Sequence, residues 1–598
     1  MWTVMNQTGA PSANDTWRTS APSGPERPRM QRHRPLRRRV PVWLAVTMLA
    51  LAACAPAAQA PQSAVRAGGP AASAVPQRAL VIAYPREPVA LEPSLLPQNR
   101  EESALASAFL AYFTPQQQAA PYLAEELPSV DKGTWKIFSD GTMETTYKLR
   151  SNARWHDGEP LTADDFVFAH TVRMDPAYPA VNSPLERRMS EVRAVDDHTL
   201  VMEWKDAYMW AGMIPLPYFS PMPRHKLESL YTEDIDQFIT GSHWRNDFVG
   251  AGPYRVERWD PGVEIVFAAH PDFFLGKPHI PEIHLKFITD ANTVVATLLG
   301  GAADVAFNLT IGFPQAQALE QANWNGKIEY WEGNPRIIEF QSRDWGDTQR
   351  AVFDVRVRRA ALHAIDRQGI VDAIFAGHGH VQHFWLPPSD PAFPAVDHAV
   401  TKYEYDPGRA EALLREAGWT KGPDGIARNA AGEPLDMPML NQPTEVEQQE
   451  AAIVVDEWKD VGIGSEIRRL ATSELRNGEL RSKFRAVAYS QRSMTLENMV
   501  WVTPNLSGPE NRWNGQDRNG YTNPQLDDLW GRMLGSIDPH EREGLLIDAL
   551  KVMTDDAAVT PTHIQPAPTA YSAGLSGPKE PSAVGTATLW NVWEWQWQ

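Results

Sequence analysis

The stretch RWHDGEPLTADDFVFA, residues 154–169, places a tight turn directly before a helix. The Asp-Gly pair at 157–158 is a strong turn signal, and Thr162 is a favourable N-cap for the helix that follows. Asp164 and Asp165 then fall in the first helical turn, where the helix dipole favours negative charge. A histidine beside an aspartate, followed by paired carboxylates, is also typical of active sites, but turn and capping chemistry accounts for the same residues. The stretch therefore predicts a turn and a capped helix.

Strand patterns flank this helix on both sides, at ALVIAY (79–84), TMETTYKLR (142–150), VRAVDDHTLVMEW (192–204) and GAGPYRVERWDPGVEIVFAA (250–269). The third of these predicts two strands joined by a tight turn at Asp196-Asp197. Apolar residues at helical spacing, with an aspartate as N-cap, follow at FDVRVRRAALHAIDRQGIVDAIF (353–375) and DPGRAEALLREAGW (406–419). Because strands and helices are mixed along the chain, the predicted class is α/β.

The C-terminal stretch TLWNVWEWQWQ (588–598) is rich in tryptophan. An extended conformation would place Trp593, Trp595 and Trp597 on one side of the segment. They would then either pack on the core or form an aromatic surface.

The composition excludes some partners. The chain has 56 basic and 74 acidic residues and a formal net charge of −18. Such an acidic protein is not expected to bind nucleic acid or an anionic membrane surface. With 598 residues, of which 43% are hydrophobic, it is too long for a single core. No cofactor motif is present, and no cofactor is predicted.

The N-terminal residues have the pattern of an export signal. A basic segment, RHRPLRRRVP (32–41), precedes the apolar run VWLAVTMLALAA (42–53) and then Cys54, the one cysteine of the chain. The last four residues of this pattern, LAAC, resemble the bacterial lipobox, in which the cysteine takes a lipid. We therefore expect a signal peptide over 1–54, with 1–29 as an upstream extension or a disordered start. An Ala/Pro-rich flexible linker is predicted to follow over 55–78.

The order of these elements resembles the solute-binding lipoproteins of bacterial ABC importers, in the extracellular solute-binding family 5 cluster. That cluster takes oligopeptides, dipeptides, nickel chelates and some oligosaccharides. The resemblance covers residues 79–598 and rests on stretches that follow the family's order. They are LEPSL (91–95), PYLAEELP (121–128), RWHDGEPLTADDFVFA (154–169), VRAVDDHTLVMEW (192–204), GAGPYRVERW (250–259), HPDFFLGKPHIPEIHLKFITD (270–290), DVRVRRAALHAIDRQGIV (354–371), YDPGRAEALLREAGW (405–419), WKDVGI (458–463) and GYTNPQLDDLW (520–530).

The resemblance implies a two-lobed type II periplasmic-binding-protein fold with an extra subdomain in the first lobe. The expected boundaries are 79–118, 201–330 and 561–598 for lobe I, 119–200 for its extra subdomain, and 331–560 for lobe II. The implied function is capture of a solute, a short peptide or another small molecule, between closing lobes, followed by delivery to the permease subunits of an importer that has a cytoplasmic ATPase. The protein would be no enzyme. It would be lipid-anchored in the cell envelope, in the periplasm or at the cell surface.

The resemblance also implies a set of ligand residues. Peptide-binding relatives hold the peptide amine with an aspartate in lobe II, but the matching stretch here, AVAYSQRSMTLENMVWVTP (486–504), has Arg492 near that place. A guanidinium favours a carboxylate, a phosphate or a hydroxyl-rich solute. As a residue of an open cleft, Arg492 is expected to be solvated. Glu92, Gln341 and Asn441 occupy positions that lie near the cleft in relatives.

Two further groups of residues leave alternatives open. Trp385, Trp501 and Trp513 are candidates for stacking on a solute, although tryptophans also fill cores. His378, His380 and His383 lie close together in GHGHVQH and could bind Zn²⁺ or Ni²⁺, or could simply belong to a loop. They motivate a metal- or metal-chelate-binding protein of the same importer class as the alternative, beside an oligosaccharide-binding one. A secreted hydrolase is a third alternative.

The predicted anchor can be tested by fractionation. Wild-type protein and Cys54→Ala are expressed in a bacterial host, and membranes are separated from soluble material. We expect the wild type in membranes and the variant in the soluble fraction, because only a cysteine can take the lipid. Recovery of both proteins in the soluble fraction would contradict the lipobox prediction.

Overall fold

The computed structural model describes residues 78–95, 100–179, 184–214, 218–492, 500–581 and 587–598. The predicted signal peptide with Cys54, and the linker up to residue 77, lie outside these residues. Among the described helices, none combines the length and apolar character needed to cross a bilayer.

The strands are numbered in chain order. They are β1 (Leu80–Tyr84), β2 (Ala111–Phe113), β3 (Ala119–Pro121), β4 (Ala124–Glu126), β5 (Trp135–Ile137), β6 (Met143–Leu149), β7 (Met189–Asp196), β8 (Thr199–Trp204), β9 (Tyr254–Asp260), β10 (Glu264–Ala269), β11 (Glu282–Phe287), β12 (Val305–Ala306), β13 (Gly326–Phe340), β14 (His380–Val381), β15 (Thr420–Lys421), β16 (Ala427–Arg428), β17 (Met439–Asn441), β18 (Ile467–Arg469), β19 (Val487–Gln491), β20 (Val559–Ser572), β21 (Leu575–Ser576) and β22 (Gln596–Trp597).

The helices are numbered in the same way. They are α1 (Arg100–Ala106), α2 (Ala163–Met174), α3 (Pro184–Arg188), α4 (Arg224–Glu233), α5 (Ile235–Thr240), α6 (Ala291–Leu299), α7 (Phe313–Gln321), α8 (Val355–His363), α9 (Arg367–Phe375), α10 (Phe393–Ala399), α11 (Pro407–Glu416), α12 (Glu445–Val461), α13 (Gly478–Ser482), α14 (Pro524–Gly535) and α15 (Pro539–Asp556). The predicted α/β class is confirmed.

The main sheet has the strand order β18-β17-β19-β13-β20-β12-β1-β11-β10-β9 in the described part of the chain, with β14 paired to β20. Its first half contains β12, β1 and β11, which are parallel to one another. Its second half contains β18, β17 and β19, which are also parallel. The long antiparallel strands β13 and β20, here named the crossover pair, lie between the halves and belong to both.

The crossover pair is irregular where it passes from one half to the other. Its register shifts between Glu332 and Pro335, and again between Arg336 and Ile337. Gly333 fits this point because a Cβ there would lie 2.6 Å from the carbonyl oxygen of Gln565. Such bulges bend a strand pair locally.

A second sheet has the order β4-β6-β8-β7, with β5 paired to β6. Helix α2 begins at Ala163, as the predicted N-cap at Thr162 requires, and the backbone amide of Thr162 donates to Asp165 Oδ2 at 2.8 Å. The indole of Trp155 donates to the same carboxylate at 3.1 Å. His156 accepts from the Gly250 amide, and burial lowers its pKa to about 3. These polar residues therefore hold the turn and the helix in place, as predicted.

The other predicted helix starts are confirmed. Asp354 accepts from the amide of Arg356, and Asp406 accepts from that of Arg409. The single helix predicted over 353–375 is instead two helices, α8 and α9, because Asp366 caps α9 by accepting from the Gly369 amide at 2.8 Å.

Two local predictions differ from the structure. The turn between β7 and β8 is at Asp197-His198 rather than Asp196-Asp197, because β7 includes Asp196. The C-terminal tryptophans do not form one extended stripe, since a 3₁₀ turn spans Val592–Glu594. Trp595 is fully buried, and its indole donates to Asn591 at 3.0 Å.

The lobe boundaries given above stay predictions. Those at 330/331 and 560/561 fall inside β13 and β20, a few residues from the irregular stretch of the crossover pair.

The buried residue Glu102 in α1 predicts how the stability of this fold depends on pH. Its side chain is fully buried beside the hydroxyl of Tyr84, and burial raises its pKa to about 7. Because the folded protein holds this proton and the unfolded chain loses it near pH 4.5, stability should fall as pH rises from about 4.5 to about 7.

Glu102→Gln should remove this dependence. We expect the free energy of unfolding of the variant, relative to wild type, to increase by ~3 kcal/mol between pH 4.5 and pH 8. Urea unfolding at several pH values measures it, with the exposed Glu125→Gln as control. A difference that does not change with pH would contradict the assignment.

Candidate functional site

The carboxyl ends of the parallel strands in both halves point at the irregular stretch of the crossover pair. In the first half, β12 ends at Ala306, opposite Ala570, and runs toward the start of β20. In the second half, β19 runs toward Gln491, opposite Arg336 of β13. Ligands of open α/β sheets bind at the carboxyl ends of the strands. The two facing edges are therefore the candidate site.

Asn441 and Arg492 lie at the same edge of the second half. Asn441 is the last residue of β17 and pairs in register with Tyr489 of β19, and Arg492 directly follows β19. The Asn441 amide is buried and donates to the Glu447 carbonyl at 3.3 Å, while its own oxygen has no partner. The structure thus brings these two predicted residues together.

Arg492 is not solvated as expected but packs beside a buried carboxylate. Its Nη2 lies 3.4 Å from Glu339 Oε1, and its side chain is 12% exposed. The same nitrogen donates to the carbonyl of Gln516 at 3.1 Å. Glu339 also accepts hydrogen bonds from Ser490 and from the indole of Trp501, each at 3.2 Å. Glu339 of β13 therefore contacts Arg492 and two of the side chains next to it.

Two predicted tryptophans join this cluster as core residues. Trp501 and Trp385 are almost fully buried, and their rings meet edge to face at 4.5 Å. The indole nitrogen of Trp385 is buried and makes no hydrogen bond. Glu339 was not predicted as a site residue from the sequence. A single acid in the largely apolar stretch RIIEF (336–340) nevertheless indicates a buried, paired carboxylate.

A second ionic group links the crossover pair to α12. Arg336 of β13 pairs with Glu447, and its Nε lies 2.6 Å from Glu450 Oε2. His563 of β20 lies 3.1 Å from Glu450 on the other side. Burial raises the pKa of Glu450, but the charge of Arg336 and the contact with His563 outweigh it and hold that pKa below its usual value. The group fixes both strands at the point where they pass between the halves.

Glu92 has a structural partner. Its carboxylate is buried, pairs with Arg173 of α2 at 3.0 Å and accepts from Ser94 at 2.8 Å. Arg173 also donates to Ser220 at 2.7 Å. Glu92 therefore holds α2 against the segment that follows β1.

Gln341 and Trp513 lie away from the edge that carries Arg492. Gln341 donates to the carbonyls of Ser482 and Phe484, each at 3.0 Å, beside the start of β19. Because β13 runs antiparallel to β19, the end of β13 lies at the opposite edge from the end of β19. Trp513 is on the same side as Gln341, with Lys483 at 5.1 Å from its ring. The structure therefore does not bring these two residues to Asn441 and Arg492.

The three histidines of GHGHVQH do not converge. His378 packs on the ring of Tyr330 at 4.2 Å, and His380 is in the short strand β14. His383 is buried beside Glu404, and burial lowers its pKa to about 3. In the ranges that the structure covers, no three His, Cys, Asp or Glu side chains are arranged to hold a metal ion.

Comparisons with known proteins agree with this architecture. Residues 119–514 match the family described as bacterial extracellular solute-binding proteins, family 5 Middle. The oligopeptide-binding protein AppA of Bacillus subtilis is 28% identical over 329 residues, which are 54% of this chain and 58% of AppA. The heme-binding protein A of Haemophilus influenzae is 22% identical over 569 residues, 91% of this chain and 95% of that protein. The chain thus spans little more than half of AppA.

Solved structures share the fold. NikZ from Campylobacter jejuni with Ni(L-His) has a TM-score of 0.69 at 20% identity and covers 87% of this chain and 100% of its own. AppA with a nonapeptide has a TM-score of 0.66 at 22% identity and covers 87% of this chain and 99% of its own. These neighbours are two-lobed type II periplasmic binding proteins, and the same fold is thereby established for this chain.

The ion pair of Arg492 generates a stability prediction. Arg492→Ala should lower the free energy of unfolding by about 1–3 kcal/mol, because it leaves the buried Glu339 without its cation. Arg350→Ala, in an exposed pair with Asp344, should change it by less than about 0.5 kcal/mol. Urea unfolding of the three proteins measures both effects. Equal stability of wild type and Arg492→Ala would mean that the pair contributes nothing.

Proposed function

This chain belongs to the bacterial extracellular solute-binding proteins of family 5, and on that premise we propose that it captures a peptide-like solute between its two lobes and delivers it to the permease of an ABC importer. The observation that carries the proposal is the crossover pair. It joins two sets of parallel strands. The carboxyl ends of both sets point at the same irregular stretch of the pair. A solute bound at both edges bridges the lobes, so that binding favours the closed state.

For the lobes we propose the boundaries that were predicted from the sequence. Lobe I comprises 79–118, 201–330 and 561–598, with the extra subdomain at 119–200, and lobe II comprises 331–560. The hinge is the irregular stretch at 332–337, where ladder pairing is interrupted and bending costs little.

The protein acts outside the cytoplasmic membrane, held there by a lipid on Cys54. Its partners are the permease subunits with their cytoplasmic ATPase, and the solute leaves the site chemically unchanged. No residue is assigned a catalytic role.

Some of the relatives support a peptide as the solute, and others are named for different ligands. AppA is named for oligopeptides and heme-binding protein A for heme, and the NikZ structure contains Ni(L-His). A metal chelate is therefore the alternative to a peptide that these names support, beside the oligosaccharide that the family resemblance implies.

The experiment is to identify what the protein carries. Full-length protein is purified from membranes and denatured, and the released small molecules are identified by mass spectrometry. The emptied, refolded protein is then titrated with the identified solute while small-angle scattering records its radius of gyration.

We expect short peptides in amounts comparable to the protein, and a smaller radius of gyration on rebinding, because closure brings the lobes together. Release of a single chelate or sugar would replace the peptide assignment. Absence of any released solute, together with no change of radius for any candidate solute, would contradict the function itself.

A further inference from the structure

Helix α14 contacts a short turn that follows β8. The turn is a 3₁₀ helix at Met209–Gly212, here named the 209–212 turn. Under the boundaries proposed above, this turn belongs to lobe I and α14 belongs to lobe II. The contact therefore joins the two lobes through residues that lie outside the crossover pair.

The 209–212 turn is held in place by the second sheet. The hydroxyl of Tyr147 in β6 donates to the carbonyl of Ala211 at 2.8 Å. Gly212 lies so close to Trp135 of β5 that a Cβ at this position would be 2.6 Å from the ring. Strands β4 to β7 of this sheet fall within the proposed extra subdomain at 119–200. The extra subdomain thus supports the surface that α14 contacts.

Both sides of the contact are apolar and buried. One face of α14 carries four buried apolar side chains at helical spacing, namely Leu526, Leu529, Trp530 and Met533. Met209 and Trp210 of the turn are also buried, and they belong to the same continuous hydrophobic cluster as that face. Moving α14 away from the turn would expose apolar surface to water, which is unfavourable. The contact therefore favours the arrangement in which the lobes are together.

The closest approach between the two sides is at the end of α14. A Cβ at Gly535, the last residue of the helix, would lie 3.7 Å from the carbonyl oxygen of Ala207 and 4.0 Å from its Cβ. At Gly531, one turn earlier in the same helix, a Cβ would have no neighbour within 4 Å among the described residues. The end of α14 is thus the part that meets the segment before the 209–212 turn.

A polar contact joins the same two parts of the protein nearer to the crossover pair. Gln117, in the loop between β2 and β3, donates to the hydroxyl of Ser389 at 3.1 Å. Ser389 in turn donates to Glu332 of the crossover pair at 2.8 Å. Phe113, at the end of β2, packs edge to face on Trp210 at 5.7 Å, so that the loop and the 209–212 turn adjoin each other. Gln117 has a φ of 58°, in the left-handed region, and such strained residues cluster at functional sites.

We propose that lobe II closes onto the extra subdomain, and that the contact of α14 with the segment Ala207–Gly212, here named the closure contact, stabilises the closed state. This inference rests on the proposed function, because it assumes lobes that open and close, and it assigns a role to the extra subdomain. Burial of apolar surface in the closed state lowers the free energy of that state, so the solute has to supply less of the energy of closure. The hydrogen bond from Gln117 to Ser389 adds a polar connection between the same parts.

The test is a disulfide across the closure contact in the full-length protein. Ala207→Cys/Gly535→Cys places two sulfurs on Cβ atoms 4.0 Å apart, within the range of about 3.5–4.5 Å that disulfides require. Ala207→Cys/Gly531→Cys is the matched control, with the second cysteine one helical turn earlier. Each protein is emptied of solute by unfolding and refolding, and is then oxidised mildly. Mass spectrometry of tryptic peptides identifies which cysteines are joined, so that Cys54 does not interfere.

We expect at least about tenfold more disulfide in the first variant than in the control, because only the end of α14 reaches Ala207. Small-angle scattering should show a smaller radius of gyration for the oxidised first variant than for the same protein after reduction, because the disulfide holds the lobes closed. Thermal unfolding of the reduced variants confirms that they are folded. Gln117→Cys/Ser389→Cys, joined by a short bis-maleimide, tests the polar contact independently and should give the same decrease in radius.

Three results would overturn the inference. They are absence of the disulfide in the folded first variant, equal disulfide formation in the control, and an equal radius of gyration of the oxidised and reduced first variant. In the last case the contact would be permanent and would not belong to closure. None of these measurements uses a solute. If the disulfide forms and decreases the radius while no solute is ever released or bound, the closure contact stands and the proposed capture of a solute fails.

Discussion

The antiparallel pairing of β13 with β20 is the constraint on which the rest of the molecule depends. These strands run through both halves of the main sheet, so their register fixes where each half begins. Because β12 pairs with β20 and β19 pairs with β13, the pair also sets the direction of these two strands. The carboxyl ends of both halves therefore meet at the irregular stretch of the pair. The ion pairs of Arg336 with Glu447 and Glu450 connect this stretch to α12. The hinge proposed at 332–337 would therefore bend around a point that these ion pairs hold in place.

The charges at the crossover pair differ in balance from the net charge of the whole chain. The chain as a whole is strongly acidic, with a formal net charge of −18. At the crossover pair, however, the charges are buried and paired: Arg492 lies beside Glu339, and Arg336 lies between Glu447 and Glu450. A net charge counted over the whole sequence therefore gives no guide to the field inside the cleft, because that field depends on which few charges the fold places together.

Local elements could be predicted from the sequence because their chemistry is local. The caps at Thr162, Asp354 and Asp406 act within three residues, and each marks a helix start that the structure contains. The family resemblance also gave the two-lobed fold. The site could be predicted only in part, because contacts there join residues far apart in sequence. Gln341 and Arg492 both follow strands, but antiparallel pairing sends them to opposite edges, and Glu339 meets Arg492 across 153 positions.

The position of β20 in the chain has a consequence for how the protein is made. Strand β12, which completes the parallel set of the first lobe, takes its outer partner from Val559–Ser572, more than 250 residues later. The first lobe therefore cannot close its sheet until nearly the whole polypeptide has emerged from the ribosome, and its unpaired strand edge stays open until then. Loop-closure entropy makes such distant pairing slow. If the signal predicted over residues 1–54 exports the chain in an extended state, slow folding of the N-terminal region would leave time for transport across the membrane.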